Sequence, residues 1–267
     1  MRSAFLLFSM LIVLSCCNRK SDAEHTPAQP MKVTGDSLQE AVDKYPDSLA
    51  LLANLLEHYT NEENYDKALS TVKNAITRDS TNTELWDMQS VVFASKGDTV
   101  NSIKSLEKAI QIYPLPSYII SLGALYAETK NPRSLRMSDI LLNSKSPATK
   151  EAYFIKGLYY SFTNKKETAI SFFDKALSTD YLFMDAYLEK GLALYEQKKY
   201  NEAAAVFTKA VTLQNNFDRG YYYLGKSYEK LNRKDEARDA YEKALLYDPN
   251  YEEAKNALDR LDQKPSN

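Results

Sequence analysis

Small and large apolar positions recur along this chain with a fixed period. Gly123, Gly157, Gly191 and Gly225 stand 34 residues apart, as do Ala169, Ala203 and Ala237, then Phe173, Phe207 and Tyr241, then Ala176, Ala210 and Ala244. Four columns in one register mark a tandem repeat, and the helix breaks between blocks exclude a coiled coil, which needs sustained heptads. Six copies follow in phase, at 49–82, 83–115, 116–149, 150–183, 184–217 and 218–251. Each predicts two helices joined by a turn, so the fold class is all-α, an α-solenoid. Upstream, Leu38, Ala41 and Pro46 fit the second half of a further copy, which predicts an N-terminal capping helix within 36–48. Downstream, Ala254, Leu258 and Leu261 draw a narrow apolar stripe on a final helix over 252–262, with a disordered tail at 263–267.

The residue types and their spacing resemble the tetratricopeptide repeat. That pattern places an aromatic at position 4, Leu-Gly at 7 and 8, Tyr at 11, Ala at 20, an aromatic at 24, Ala at 27 and Pro at 32. The copy from Asp218 to Tyr251 supplies Tyr221, Leu224, Gly225, Tyr228, Ala237, Tyr241, Ala244 and Pro249. The first three copies are more degenerate. The resemblance implies a right-handed superhelix in which Gly at 8 and Ala at 20 let the two helices of a hairpin approach, while the large residues fill the space between hairpins. One hairpin cannot bury its own apolar face, so the array is stable only as a stack.

Two departures stand out. The second copy is one residue short and closes on Tyr113-Pro114-Leu115-Pro116, a stiff connection. The third puts Leu135 and Leu142 where alanine is expected, which predicts a second helix standing farther from its neighbours. Together they predict a change of superhelical pitch between about residues 113 and 149, with a hinge between an N-terminal and a C-terminal half.

The first residues read as an address. Arg2 precedes an apolar run from Ala4 to Leu14 broken only by Ser9, about half the length of a membrane-spanning helix and typical of a signal-peptide core. It ends in Val13-Leu14-Ser15-Cys16, which resembles the lipobox of bacterial lipoproteins, so residues 1–15 are expected to be removed and Cys16 to carry the lipid. An ordinary cleaved signal that ends in cysteines is the alternative. Both cysteines of the chain, Cys16 and Cys17, sit at this junction, so the body holds no disulfide framework. The polar stretch to Gly35, with Pro27 and Pro30, reads as a flexible tether. Acyl chains at about 0.8 kcal/mol per buried methylene would hold the protein to a bilayer. No aspartate stands immediately after Cys16 and no acidic cluster lies near it, and the expected location is the bacterial envelope, lipid-anchored at the outer membrane and facing the periplasm.

Composition narrows the chemistry. With 34 Lys+Arg against 36 Asp+Glu the net charge is -2, which argues against nucleic acid as a partner. Two histidines, no His/Cys/carboxylate cluster at metal-ligand spacing, no phosphate loop and no nucleophile elbow leave no cofactor, metal or catalytic site to assign, so no enzyme is expected.

In tetratricopeptide proteins ligands commonly lie in the concave groove, at positions 2, 5, 9, 12 and 13 of each copy. Here the first two copies present small, polar and acidic residues there: Ala50, Ala53, Glu57, Thr60 and Asn61, then Glu84, Asp87, Val91, Ala94 and Ser95. The later copies present Phe154, Leu158 and Phe162, then Leu188, Leu192 and Tyr195, then Arg219, Tyr222, Lys226 and Lys230. This is an apolar and aromatic surface with a basic exit. The resemblance implies a peptide or helix of a protein partner anchored on the aromatics, with the three cations engaging its acidic groups. The other reading is that Phe154, Leu158, Leu188 and Leu192 simply pack adjacent first helices together. The lysine and asparagine set with which some family members clamp chaperone C-termini is missing; Ala53, Glu57 and Met88 stand at its positions. From another functional class, an extracytoplasmic receptor for glycans or small ligands would use Tyr195 and Tyr222 as stacking platforms.

Overall fold

A computed structural model describes residues 34–262. The described residues form fourteen α-helices and no strand, and they divide between Tyr113 and Pro114 into two compact units. The first unit holds α1 (Gly35–Lys44), α2 (Leu49–Asn61), α3 (Tyr65–Arg78), α4 (Thr83–Ser95) and α5 (Thr99–Ile112). In the second are α6 (Pro116–Glu128), α7 (Arg133–Leu142), α8 (Thr149–Phe162), α9 (Lys166–Thr179), α10 (Met184–Glu196), α11 (Tyr200–Leu213), α12 (Asp218–Lys230), α13 (Lys234–Tyr247) and α14 (Glu252–Asp262). Both units are built from consecutive hairpins, two in the first and four in the second, which gives the expected α-solenoid architecture with a single helix before the array and one after it. The division falls at Pro114, in the connection that the sequence marks as stiff. The signal core, Cys16, the tether up to residue 33 and the tail at 263–267 lie outside the described residues.

The first helix starts one residue earlier than the sequence suggests, at Gly35. Thr34 and Ser37 form a reciprocal capping box, the Ser37 amide donating to Thr34 Oγ1 at 3.3 Å and the Thr34 amide to Ser37 Oγ at 3.1 Å.

The repeat columns acquire a mechanical meaning in the second unit. A Cβ added to Gly157 would stand 2.4 Å from the ring of Phe173, one on Gly191 2.3 Å from Phe207, and one on Gly225 2.6 Å from Tyr241. Each aromatic at position 24 therefore packs directly against the bare backbone at position 8 of its own hairpin. Ala169, Ala203, Ala237, Ala176, Ala210 and Ala244 are all fully buried, where a larger side chain would force helices apart.

In the first unit the second hairpin fills the same columns with serine. Ser90 stands in the glycine column and Ser102 in the alanine column, and their hydroxyls meet at 2.8 Å in the core. Burying two hydroxyls is tolerable here because each satisfies the other.

The third copy departs from its expectation. Leu135 and Leu142 do not take the alanine positions: Ser134 and Ser138, both completely buried, and Leu141 face inward instead. The Ser134 hydroxyl donates to the Gly123 carbonyl at 2.9 Å and Ser138 to the Ala152 carbonyl at 2.7 Å, so α7 stays close to its neighbours. The cause lies in the first turn. Ser134 N–H bonds to Asn131 O and Leu135 N–H to Pro132 O, three residues back, where the other second helices open with bonds four residues back. A tightened turn advances the helix by fewer residues per revolution and swings the preceding residue of each column into the core.

All six hairpins turn in the same way. The residue at position 15 has positive φ in every copy: Glu63, Gly97, Lys130, Asn164, Lys198 and Asn232, with φ from 56° to 79°. In each, the following amide reaches back five residues, as in Asn64 N–H to Tyr59 O at 2.7 Å and Lys199 N–H to Leu194 O at 3.0 Å, while the positive-φ residue bonds three back. This is the Schellman closure of a helix C-terminus.

Candidate functional site

The first helices of the second unit, α6, α8, α10 and α12, pack side by side. The residues that the family resemblance assigns to ligand contact fall on them in two groups. Phe154, Leu158 and Leu188 are buried, Leu188 to 1% exposure, and serve the core: the Phe154 ring lies 5.8 Å from Phe173 and 5.0 Å from Phe183. Leu192 is partly buried against the same core. Phe162, Tyr195, Arg219, Tyr222 and Lys226 keep part of their surface open, and Lys230 is exposed. The packing reading thus describes the first group and leaves the second as surface.

Tyr222 is less open than its position suggests. Its ring centroid is 5.0 Å from Tyr223, 5.8 Å from Tyr241 and 4.9 Å from Tyr251, which joins α12, α13 and the start of α14 in one aromatic cluster. Burial pushes the Tyr222 phenol up to about 12, and it raises Tyr223 and Tyr251 as well, so all three stay neutral donors. The Lys226 ammonium stands over two of these rings and that of Tyr195, 5.4 Å from the centroids of Tyr222 and Tyr223 and 5.6 Å from that of Tyr195. Three ring faces around one cation form an aromatic cage. Beneath it the Tyr241 hydroxyl donates to Glu229 at 2.6 Å, and Arg260 of α14 donates to both oxygens of the same carboxylate at 3.1 and 2.9 Å. This network fastens the last helix to α12 and α13.

Sequence reasoning overlooked Glu189. It occupies position 6 on α10, a column that holds Ile155 one copy earlier and Tyr223 one copy later, and it is 9% exposed. Among the described residues no hydrogen bond or ion pair reaches its carboxylate. Burial pushes its carboxyl up to about 7, against the pull of Arg219 and with a push from Asp185 one turn earlier. The signal was present as the one acidic residue in a column that otherwise holds Asn54, Met88, Ser121, Ile155 and Tyr223, but the family's contact positions omit that column.

The corresponding first helices of the first unit carry small and acidic residues. Burial raises the Asp87 carboxyl to about 6, helped by the neighbouring Glu84. Among the described residues no group of three or more histidine, cysteine or acidic side chains is placed to hold a metal ion, and no helix is long and apolar enough to cross a membrane.

Two family profiles match parts of the chain: the tetratricopeptide repeat over residues 156–216, and Regulator of microtubule dynamics protein 1-3 over residues 192–266. No curated protein sequence matches significantly. Among solved structures, a tetratricopeptide repeat protein from Parabacteroides merdae ATCC 43184 aligns with a TM-score of 0.67 at 18% identity, over 85% of this chain and 90% of that one. PilW, a widely conserved type IV pilus biogenesis factor, aligns with a TM-score of 0.60 at 17% identity, over 78% of this chain and 97% of its own. A thermophilic tetratricopeptide repeat protein of Thermus thermophilus, TTC0263, gives 0.56 at 18% identity over 67% and 98%. At such identities the likeness is one of fold. The chain is an α-solenoid with the tetratricopeptide-repeat fold, and its residues 156–216 match that repeat family directly.

Proposed function

We propose that this protein is a non-enzymatic scaffold, held to a membrane of the bacterial envelope by a lipid on Cys16, that seats an apolar peptide or helix of a protein partner on the first helices of its second unit. The observation that carries the reading is the open part of that face. Tyr195 and Tyr222 present ring surface beside Lys226, whose ammonium they hold in place together with Tyr223, and Phe162 leaves part of its ring open at the end of α8. Large, stiff rings around a positioned charge are the composition of a binding hot spot. Fixing the protein to a surface would raise its effective concentration toward partners in the same compartment.

Site-specific photocrosslinking from position 162 in intact cells, followed by identification of the captured protein, tests the groove. A discrete protein adduct that disappears with Tyr222→Ala, in protein whose helical circular dichroism is unchanged, supports the reading. Binding of oligosaccharides by the purified chain, with no protein adduct, would replace it with the glycan-receptor alternative. Metabolic labelling with a fatty acid tests the anchor: Cys16→Ser should abolish incorporation, and unchanged labelling overturns the assignment.

A further inference from the structure

The hairpin turns of the two units carry opposite charge. At positions 14 to 18, the two turns of the first unit hold Glu62, Glu63, Asp66 and Asp98 against Lys96 alone. Each of the four turns in the second unit carries two cations, from Lys130 and Arg133 in the third copy to Arg233 and Lys234 in the sixth, against only Glu167 and Asp235. Because the whole chain has a net charge of -2, this is a matter of placement and not of composition. The turns are neighbours along one edge: Gln197 Nε2 donates to Glu167 at 2.9 Å and Lys166 pairs with Glu196 at 2.5 Å, both between the fourth and fifth copies. Lys166 is thereby matched, as is Arg233 by Glu236. Lys130, Lys165, Lys198, Lys199 and Lys234 are exposed and make no ion pair among the described residues.

These cations stand where the backbone disfavours them. Lys130 and Lys198 occupy the left-handed position, with φ of 58° and 62°, which suits glycine, as at Gly97 in the first unit. Lys165, Lys199 and Arg233 occupy the N-cap that follows and form no side-chain bond there, whereas Asn64 and Asp98 cap the corresponding helices of the first unit. A positive charge at a helix N-terminus also opposes the helix dipole. Departures of one sign, repeated along one edge, lower the stability of the fold, and residues of that kind persist where they serve a contact outside it.

What such an edge fits is extended and anionic. Lysine ammonium groups are hydrated point charges that meet phosphates without fixed geometry, and here they recur on exposed turns from one copy to the next. A layer of lipid phosphates has that form. The seventeen residues between Cys16 and Thr34 reach at most about 60 Å, so a lipid on Cys16 does not by itself fix which surface meets the bilayer. We propose that the turn edge of the second unit lies against anionic phospholipid headgroups, a second and electrostatic contact that orients this unit on the membrane. The proposal rests on the membrane placement in the reading above and not on the groove.

The test uses the full chain with Cys16→Ser, so that no acyl chain contributes, floated with vesicles of phosphatidylcholine alone or mixed with an equal amount of phosphatidylglycerol. The anionic vesicles should bind it at least about tenfold more tightly, and salt at about 1 M, where the screening length is about 3 Å, should remove the difference. Lys198→Gly with Lys199→Asp should lower that preference at least about tenfold while raising Tm, because both substitutions restore what the backbone favours. Lys209→Gln with Lys243→Glu changes the net charge by the same amount, at exposed positions of α11 and α13 away from the turns, and should keep the preference. No preference in the Cys16→Ser chain, an unaltered one in the turn variant, or equal losses in the two variants overturns the proposal. Should the turn variant not fold, Lys165→Gln with Lys234→Gln, compared with Lys209→Gln and Lys243→Gln, decides by the same criteria at a loss of at least about fivefold. Binding of inorganic polyphosphate without a preference between the vesicles makes the ligand a soluble phosphate and refutes the membrane assignment. Fatty-acid labelling reads the anchor separately: labelling without the vesicle preference leaves the anchor standing and refutes the edge, and the preference without labelling does the reverse.

Discussion

Adding one methyl group at four positions of the same column should give opposite results. In a helix interior, replacing glycine by alanine gains about 1 kcal/mol from the backbone alone. At Gly191 that methyl would lie 2.3 Å from Phe207 Cζ, so the ring has to retreat by about an ångström to reach ordinary carbon contact. Phe207 is fully buried, and forcing such a shift in a packed core costs about 1–3 kcal/mol, so Gly191→Ala should lose up to about 2 kcal/mol net. Gly157 and Gly225, against Phe173 and Tyr241, should behave alike. At Gly123 the contacts are longer, Ile155 Cδ1 at 3.0 Å and Ile155 Cγ2 and Met137 Cβ at 3.2 Å, so the neighbours need give by only a few tenths of an ångström and part of the backbone gain of about 1 kcal/mol should survive. Urea unfolding followed by circular dichroism reads this as a lowered midpoint for Gly191→Ala and an unchanged or raised one for Gly123→Ala, at constant slope. Phe207→Leu should partly rescue Gly191→Ala. Equal midpoints for the four alanine variants would refute the account of the column as a ring seated on bare backbone.

The Glu189 carboxyl, raised to about 7 by burial beside Arg219, Lys166, Tyr223, Asp185 and Glu196, keeps its proton in the folded state where the unfolded chain releases it. Stability should therefore fall as pH rises from about 4.5 through about 7, by on the order of 3 kcal/mol from this group, and Glu189→Gln should flatten urea midpoints compared at pH 5 and 8. Lys130→Gly and Lys198→Gly, at positive φ, should each gain roughly 0.5–1 kcal/mol, seen as a higher Tm, whereas an alanine at either site should give no gain. Lys165, Lys199 and Arg233 stand at N-caps without a side-chain bond, while Asn64 and Asp98 cap the equivalent helices of the first unit. Lys199→Asp should thus add about 1 kcal/mol, and Asn64→Ala should lose about as much, both by thermal unfolding.

The repeat columns made the architecture legible because glycine, alanine and aromatic residues at fixed spacing have one packing solution, and helices occupy every copy. Where a copy substitutes a chemically different small residue, the pattern hides. Ser90 and Ser102 fill the glycine and alanine columns and escape a search for those types. The third copy shifts by one residue because of backbone bonds in the first turn of α7, which no column of side chains records. The candidate surface was half legible. The family's contact positions named Tyr195, Tyr222 and Lys226, yet they cannot tell that α8 and α10 spend Leu158 and Leu188 on core packing. Glu189 required the three-dimensional neighbours, since an acid is noteworthy only once its partners are found missing.

Because every hairpin closes on the same backbone hydrogen bonds, the side chains at that edge carry almost no architectural duty. Glutamate, glycine, lysine and asparagine all occupy the left-handed position. Such superposable joints are natural splice points: exchanging 165–198 for 199–232 would rejoin the chain at the same backbone closure on both sides. A lineage of this chain is thus free to lengthen, shorten or shuffle its array and to rewrite the charge of that rim without relearning how to fold.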